Sequence, residues 1–226
     1  MIDPLRHMKI FDPDQFGNSR VDIIGCGATG SRIVLSLAKL GIKTIHVWDF
    51  DKIEEHNIAN QAFGNNHIGM MKVEAMAQIV KEQTGTEIVA HPDKVDGSQT
   101  LGEYVFLLTD TMASRKEIYT NGIKFRPFIK ALIETRMGAD NGRIYTISPS
   151  SVEQCQEWEN TLYDDDEAER SACGASITVG PTAETISGLA VWQFIRYYNW
   201  SLNGEDEPEN EVIFSVRPYT IITRPF

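Results

Sequence analysis

The chain has 226 residues and 42% of them are apolar, so one substantial hydrophobic core can be buried. The formal net charge of -11 argues against nucleic-acid phosphates as the main binding partner. The sequence has no apolar run of about 18 residues, and its N-terminus lacks the charged-then-apolar pattern of a secretion signal. We therefore expect a cytoplasmic protein of one domain, residues 1–226, without membrane contact.

The first part of the chain predicts a strand, a turn, a helix and a second strand, after an N-terminal segment of residues 1–19. Residues 21–24 are a short apolar run, residues 31–40 have helical spacing of apolar side chains, and residues 44–48 are again strand-like. This order predicts a βαβ unit, the beginning of an α/β fold.

Later elements continue this alternation and then change it. The pattern predicts a helix at 70–83, strands at 87–90 and 104–108, and a helix from about 112 to 119. It then predicts strands at 128–137 and 143–147 joined by a hairpin turn at Asp140-Asn141-Gly142, a helix at 182–198, and strands at 211–216 and 219–223 within a C-terminal segment, 203–226. We predict a Rossmann-like α/β fold, mostly parallel, with an antiparallel extension in the C-terminal half.

Acidic side chains are concentrated in two stretches, eight in residues 153–169 and five in residues 205–211. The first belongs to a polar, weakly periodic region, 148–176, which we expect to be a mobile crossover with a short helix at 152–162. Both stretches are consistent with solvated loops or with a docking surface for a basic partner protein.

A glycine turn, Gly25-Cys26-Gly27-Ala28-Thr29-Gly30, separates the first strand from the first long helix. Glycines let the backbone approach a phosphate closely, and the following helix presents unpaired N–H groups and its positive end. Asp49, after the second strand, suits the hydroxyls of a ribose. These features predict a nucleotide but fit NAD, FAD, ATP or S-adenosylmethionine equally.

The residues that follow the glycine turn narrow the choice among these four ligands. Asp49-Phe50-Asp51 precedes a segment with Asn57 and Asn60-Gln61, then Lys72 in a helix, then Thr109-Asp110 with Arg115 five residues on. In this order, over about residues 20 to 200, the sequence resembles the ThiF/MoeB (HesA/MoeB/ThiF) family of ubiquitin-activating-type adenylyltransferases, of the compact bacterial or phage type. The ordered combination is far more specific than any one motif.

The resemblance implies ATP and Mg²⁺ as cofactors, with a binding site made of Gly25, Gly27, Ala28, Gly30, Asp49, Asp51, Asn57, Asn60, Gln61, Lys72 and Asp110. Asp49 would hold the ribose, Asn57 and Lys72 would contact phosphates, and Asp110 would carry the metal. Lys72 and Asp110 would be catalytic, because charge builds on the pyrophosphate that leaves during adenylation.

Structural roles are the alternatives at several of these positions. Lys72 could be an ordinary exposed helix lysine, and Asp110 could cap the helix that begins near residue 112. Arg115 could be the partner of an acidic side chain, and Gln61 could be a loop residue that bonds backbone.

Asn60 departs from the family pattern, which has an arginine at this position that resembles a clamp on the triphosphate. An asparagine supplies no charge, so another cation substitutes or ATP turnover is weak. Arg6, Lys9 and Arg20 are the candidates, since the resemblance implies a homodimer in which an N-terminal arginine reaches the neighbour's site.

Three cysteines are too few for a disulfide framework and have no Cys-x-x-Cys spacing, so we expect reduced thiols. Some relatives transfer the acyl group to an enzyme thiol. The resemblance favours Cys173, within Ser171-Ala172-Cys173-Gly174, as that nucleophile; Cys155 is the rival, and both could be inert. Cys26 is expected to have a packing role.

Together these residues predict ATP-dependent adenylation of the C-terminal carboxylate of a ubiquitin-like or sulfur-carrier protein, with or without a later thioester. The alternatives are adenylation of a peptide or small carboxylate, and a nucleotide- or partner-binding module with weak turnover. An NAD(P)-dependent oxidoreductase is disfavoured, because His56 and His67 are loop residues without an obvious role in hydride transfer.

Overall fold

The computed structural model describes residues 2–165 and 178–226. These residues form one mixed sheet of eight strands with helices packed against it. Its strands, in chain order, are β1 (Val21–Ile24), β2 (Ile45–Trp48), β3 (Val89–His91), β4 (Tyr104–Leu107), β5 (Ala131–Met137), β6 (Asn141–Ile147), β7 (Glu211–Val216) and β8 (Tyr219–Arg224). They lie in the order β3-β2-β1-β4-β5-β6-β7-β8, parallel from β3 to β5 and antiparallel from β5 to β8. The predicted fold class is confirmed.

Helices cover both faces of the sheet. They are α1 (Pro13–Phe16), α2 (Gly30–Lys39), α3 (Lys72–Thr84), α4 (Met112–Ile118), α5 (Val152–Asn160) and α6 (Gly180–Asn203). The last is longer than predicted, because Pro181 is compatible with a first helical turn and the left-handed Gly204 ends the helix. None of the helices in the described residues is long and apolar enough to cross a membrane.

Successive residues of the central strands point to opposite faces, so each face has its own hydrophobic core. On one face Ile23 belongs to a cluster with Leu37 of α2, Met76 of α3 and Phe194 of α6. On the other face Ile24 belongs to a cluster with Leu107 and with Cys155 and Trp158 of α5. Burial on both faces explains why β4 is a continuous apolar run and why all the residues of β1 except Asp22 are apolar.

The hairpin between β5 and β6 turns earlier than predicted. Asn141 and Gly142 already belong to β6, and the turn is residues 138–140, closed by a hydrogen bond of 3.0 Å from Gly138 N to Asn141 O. Gly142 is needed for packing, because a Cβ there would lie 2.6 Å from the Phe214 ring and 2.8 Å from Ile186. The glycine that suggested a turn therefore makes room between the sheet and α6.

The acidic crossover region, 148–176, begins with a packed helix. Trp158 of α5 is fully buried and Cys155 is 1% exposed. Residues 166–177, which include Cys173, lie outside the described residues. Several acidic side chains are paired within the chain: Glu159 with Lys124 at 2.5 Å, Asp164 with Lys116 at 3.2 Å, and Glu211 with Arg143 at 2.9 Å. These pairs reduce the charge that the acidic stretches could offer to a basic partner.

Candidate active site

The glycine turn lies where the chain changes direction across the sheet. From β1 the chain builds β2 and β3 on one side, and it then returns to place β4 on the other side. Ligands of open α/β sheets bind at such a switch point, outside the carboxyl ends of the strands. Here those ends carry the glycine turn, Asp49 after β2 and Thr109-Asp110 after β4.

Close backbone contacts explain two of the glycines in the turn. Gly25 has a φ of +100°, and a Cβ there would lie 2.8 Å from Leu108 O. A Cβ on Gly30 would lie only 1.9 Å from Gly25 O, whereas one on Gly27 would have no atom of the described residues within 4 Å. The turn is therefore pressed against the end of β4 and the start of α2, and it is open at Gly27, where a phosphate could approach.

Hydrogen bonds from neighbouring elements hold the turn in place. Cys26 N donates to Asp49 Oδ2 at 2.7 Å, and Ser187 Oγ of α6 donates to Thr29 O at 3.1 Å. Cys26 is fully buried, and burial raises the pKa of its thiol far above the ordinary value, with Asp49 as a further cause. These properties fit the packing role that the sequence predicts for Cys26.

Asp49, Asp51 and Lys72 form a compact charged cluster beside the turn. Lys72 Nζ lies 2.7 Å from Asp51 Oδ2 and 4.0 Å from Asp49 Oδ1, which also accepts from Asp51 N at 2.9 Å. Burial raises the pKa of Asp49, and Lys72 is the largest opposing influence. The Lys72 side chain is 9% exposed. It is therefore not the ordinary surface lysine that was the alternative at this position.

The loop after Asp51 carries three of the predicted ligand residues. Asn57 is buried, and its Oδ1 accepts from Glu54 N at 2.9 Å, so its oxygen shapes the loop. A phosphate would be contacted by its amide N–H₂ group. Asn60 Oδ1 and Gln61 Oε1 are buried, and neither has a hydrogen-bond partner within the described part of the chain. Buried oxygens without a donor are expected where a ligand or water supplies one.

Thr109 and Asp110 lie on the other side of the turn. The Thr109 backbone packs against Gly25, and its Oγ1 is a further buried atom that lacks a partner among the described residues. Asp110 is exposed. Thr111 Oγ1 accepts from Ser114 N at 3.2 Å and Asp165 accepts from Met112 N at 2.5 Å. The capping role considered for Asp110 is thus filled by Thr111 and Asp165.

The chemistry of Asp110 suits a metal bound chiefly by a substrate. The described residues contain no group of three or more histidine, cysteine or acidic side chains that could hold a metal. Mg²⁺ is often held by one or two carboxylates together with substrate phosphates. A single exposed carboxylate at the carboxyl end of β4 fits that mode of binding.

Arg115 has the structural role considered as its alternative, that of partner to an acidic side chain. Its guanidinium is buried, forms an ion pair with Glu134 of β5, and donates to Thr135 O at 2.7 Å and to Thr109 O. Glu134 was not singled out from the sequence, although a charged residue inside an apolar strand was a usable signal. The pair holds the Thr109-Asp110 turn against β5.

Arg32 is a second residue that sequence reasoning missed. It is the third residue of α2, and its Nη1 donates to Ala28 O at 2.9 Å and to Asn60 O at 2.5 Å. Its side chain is 17% exposed. A cation in the first turn of a helix opposes the helix dipole, and that local conflict was the signal available in the sequence.

The three cations suggested as substitutes at Asn60 are not gathered at this site. Arg20 pairs with Asp22 at 2.7 Å beside the beginning of β1, at the opposite edge of the parallel strands. His7 contacts Leu40 O, at 3.2 Å, beyond the far end of α2, so its neighbours Arg6 and Lys9 are also remote from the turn. Within one chain, therefore, none of the three lies at the turn, and their reach into a neighbouring subunit's site stays a prediction.

Cys155 does not suit the role of a nucleophile. It is buried on the second face of the sheet, with its Sγ 3.5 Å from Pro149 O beyond the end of β6. Because β6 is antiparallel to β5, this is the edge of the sheet opposite the glycine turn. Burial also raises the pKa of the Cys155 thiol. Cys173 remains a prediction, since it lies outside the described residues.

Comparison with known proteins gives one family and several relatives. A family model described as the ThiF family matches residues 6–220. The NEDD8-activating enzyme E1 catalytic subunit of Arabidopsis thaliana is 30% identical over 135 residues, which cover 53% of this chain and 29% of that protein. The adenylyltransferase and sulfurtransferase MOCS3 of Caenorhabditis briggsae is 30% identical over 105 residues, covering 43% of this chain and 26% of that protein.

Solved structures share the architecture over most of the chain. E. coli MccB crystallised with ATP superposes with a TM-score of 0.69 at 14% identity, covering 94% of this chain and 65% of that one. MccB with MccA-N7isoASN gives a TM-score of 0.73 at 16% identity, covering 94% and 66%. The chain thus spans under two thirds of MccB with ATP and under one third of the two curated relatives. At these identities the structural likeness concerns the fold alone.

Proposed function

Because the chain belongs to the ThiF family, we propose that it is an adenylyltransferase that activates a carboxylate with ATP at the glycine turn. One observation carries the proposal. The open turn, the Asp49–Lys72 cluster and the unpartnered oxygens of Asn60, Gln61 and Thr109 meet at the carboxyl edge of the parallel strands. This edge offers a cradle for phosphates, a carboxylate for the ribose and a cation for developing charge.

The arrangement supports a direction for the bound nucleotide. Asp49 contacts Cys26, at the beginning of the turn, and its remaining lone pairs suit the ribose hydroxyls. The phosphates would then follow the turn across Gly27 towards the N–H groups at the start of α2. Lys72 lies on the Asp49 side, where the α-phosphate would be, and a phosphate could replace its half-exposed pairing partner Asp51.

The reaction is a displacement at the α-phosphorus. An oxygen of the substrate carboxylate forms a bond to that phosphorus, and the bond to the bridging oxygen breaks. The bonding electrons leave with pyrophosphate, so the products are an acyl adenylate and pyrophosphate. Lys72 stabilises the charge that accumulates during this step, and the N–H groups of the turn hold the phosphates in line. Mg²⁺ held by Asp110 would neutralise further charge on the pyrophosphate.

A ubiquitin-like or sulfur-carrier protein is the substrate class that we favour, in keeping with relatives named for NEDD8 activation and for sulfur transfer. An extended C-terminal tail could reach the α-phosphate, and a thioester on Cys173 could follow. We also propose that the protein works as a cytoplasmic homodimer.

Two other functions remain open for specific reasons. Adenylation of a peptide is supported by the fold shared with MccB, which has been crystallised with MccA. A binding module with weak turnover is supported by Asn60, which supplies no charge at a position where the family has arginine.

ATP–pyrophosphate exchange tests the proposal. The enzyme is incubated with Mg²⁺ and with carrier proteins, peptides or small carboxylates in separate reactions. Exchange that depends on a carrier supports the favoured function, and exchange that depends on a peptide or small carboxylate supports the alternative. Asp110→Ala should abolish exchange, while Glu82→Ala, a change on the exposed face of α3, should leave it intact. Exchange with no substrate in the panel would count against the enzyme and favour the binding module.

A further inference from the structure

Arg32 occupies an electrostatically unfavourable position. It lies in the first turn of α2, directly after the glycine turn, where the helix dipole is positive. Its Nη1 is held by two neutral acceptors, Ala28 O at 2.9 Å and Asn60 O at 2.5 Å. The positive helix end and the guanidinium reinforce each other, so this part of the molecule attracts an anion.

The only ion pair of Arg32 within the described residues is weak. Glu184 Oε1 lies 3.5 Å from Arg32 Nη2, and the Glu184 side chain is 69% exposed while that of Arg32 is 17% exposed. Exposed pairs of this kind contribute little, because water and salt screen them. Arg32 is therefore a largely buried cation with incomplete compensation of its charge.

The packing around Arg32 fixes the position of its guanidinium. The neighbouring start of α6 is closely packed, since a Cβ on Gly180 would lie 3.2 Å from Ala59 O and 3.9 Å from Arg32 Nη2. The guanidinium is thus fixed between the glycine turn and the loop at Asn60 instead of extending freely into solvent.

We infer that Arg32 binds the β- and γ-phosphates of ATP and supplies the charge that Asn60 lacks. The order of contacts along the turn assigns it to these phosphates: Asp49 bonds Cys26 at the beginning of the turn, and Arg32 bonds Ala28 nearer its end. The planar guanidinium keeps donors on Nη2 and Nε that suit phosphate oxygens. The inference rests on the proposed nucleotide site and adds a residue that distinguishes ATP from AMP.

Calorimetric titration with ATP and with AMP tests this role without relying on turnover. Arg32→Gln should weaken ATP binding about 10- to 100-fold, as expected for hydrogen bonds to a charged group, and should change AMP binding by less than about twofold. Arg32→Lys keeps the charge but not the fork, so its loss should be intermediate. Glu184→Gln, which removes only the exposed partner, should retain both affinities. Circular dichroism checks that each variant is folded.

A compensating change makes the test specific. Asn60→Arg in the Arg32→Gln background should restore a large part of the ATP affinity, because it returns a cation to the same place. Equal losses for ATP and AMP, unchanged ATP binding, or a wild type that does not prefer ATP to AMP would overturn the role of Arg32. If the preference for ATP depends on Arg32 but no substrate gives pyrophosphate exchange, the adenylation proposal fails and the role of Arg32 in ATP binding stands.

Discussion

Replacing Lys72 by methionine removes the cation of the charged cluster and keeps the volume and most of the apolar stem of the side chain. Asp51 is half exposed and can turn to water when its partner is lost. Asp49 cannot, because its side chain is 9% exposed and its oxygens accept from Cys26 N and Asp51 N. The cost of the substitution therefore falls mainly on Asp49.

The distance sets the size of the effect. At the 4.0 Å between Lys72 Nζ and Asp49 Oδ1, an effective dielectric constant of about 20 gives an attraction of about 4 kcal/mol. Burying the ammonium offsets a large part of this attraction, so we expect Lys72→Met to lower the free energy of unfolding by about 1 to 3 kcal/mol at neutral pH.

The loss in free energy of unfolding caused by Lys72→Met should become smaller as the pH falls. Burial already raises the pKa of Asp49, and removing Lys72 takes away its largest opposing influence. A carboxyl with a raised pKa in the folded state costs stability as the pH rises through that pKa, because the unfolded chain gives up the proton more readily. The difference in stability between wild type and variant should therefore shrink as the pH falls from neutral towards the range in which Asp49 is protonated.

Urea denaturation of both proteins across this pH range is the measurement, with ATP binding measured in parallel. Lys81→Met is the matched control on the same helix, because Lys81 is exposed and its ion pair among the described residues is with the exposed Glu87, at 2.8 Å. That control should change neither stability nor ATP affinity. A Lys72→Met loss that is independent of pH, or one no larger than that of Lys81→Met, would refute the electrostatic reasoning.

Two further predictions concern buried groups. Gly30→Ala would place a Cβ 1.9 Å from Gly25 O, so it should lower the free energy of unfolding by about 1 to 3 kcal/mol and weaken ATP binding. Gly188→Ala on α6 is the control, because a Cβ there meets no atom of the described residues within 4 Å; it should be neutral or stabilising in the same urea and calorimetric assays, and equal effects of the two changes would contradict the prediction. Burial raises the pKa of the Cys26 and Cys155 thiols and keeps them protonated. A thiolate-specific reagent at about pH 8 should therefore label Cys173 or no cysteine in the native protein. Labelling of Cys26 or Cys155 before unfolding would show that its burial is transient.

Local patterns were sufficient to predict the parallel half of the fold. The apolar run of β1, the glycines and the helical spacing of α2 are adjacent in sequence, and their bounds agree with the structure within a residue or two. The proximity of Asp49 to the turn also followed, because parallel neighbours end at the same edge of a sheet. The hairpin at Gly142 was misplaced, since the need for a glycine there comes from Phe214 and Ile186, which are distant in sequence.

The rest of the candidate site depends on contacts that spacing does not reveal. In the sequence, the signal at Arg32 is a cation in the first turn of a helix. Its contact with the backbone oxygen of Asn60, 28 residues later, depends on the fold. The pairing of Arg115 with Glu134 requires the parallel register of β4 and β5, and the cap that Asp165 gives to α4 closes over 53 residues. The sequence shows that these residues are charged, but only the fold shows what each one contacts.

The most direct test of adenylation is the identity of the products formed from ATP. With ATP labelled at the α- or the γ-phosphate and an accepted carboxylate substrate, attack at the α-phosphorus predicts an adenylate that decays to AMP, together with pyrophosphate. The amounts of the two products should be equal, and both should disappear in Lys72→Met. Release of ADP and inorganic phosphate would place the cleavage at the γ-phosphate and contradict the account.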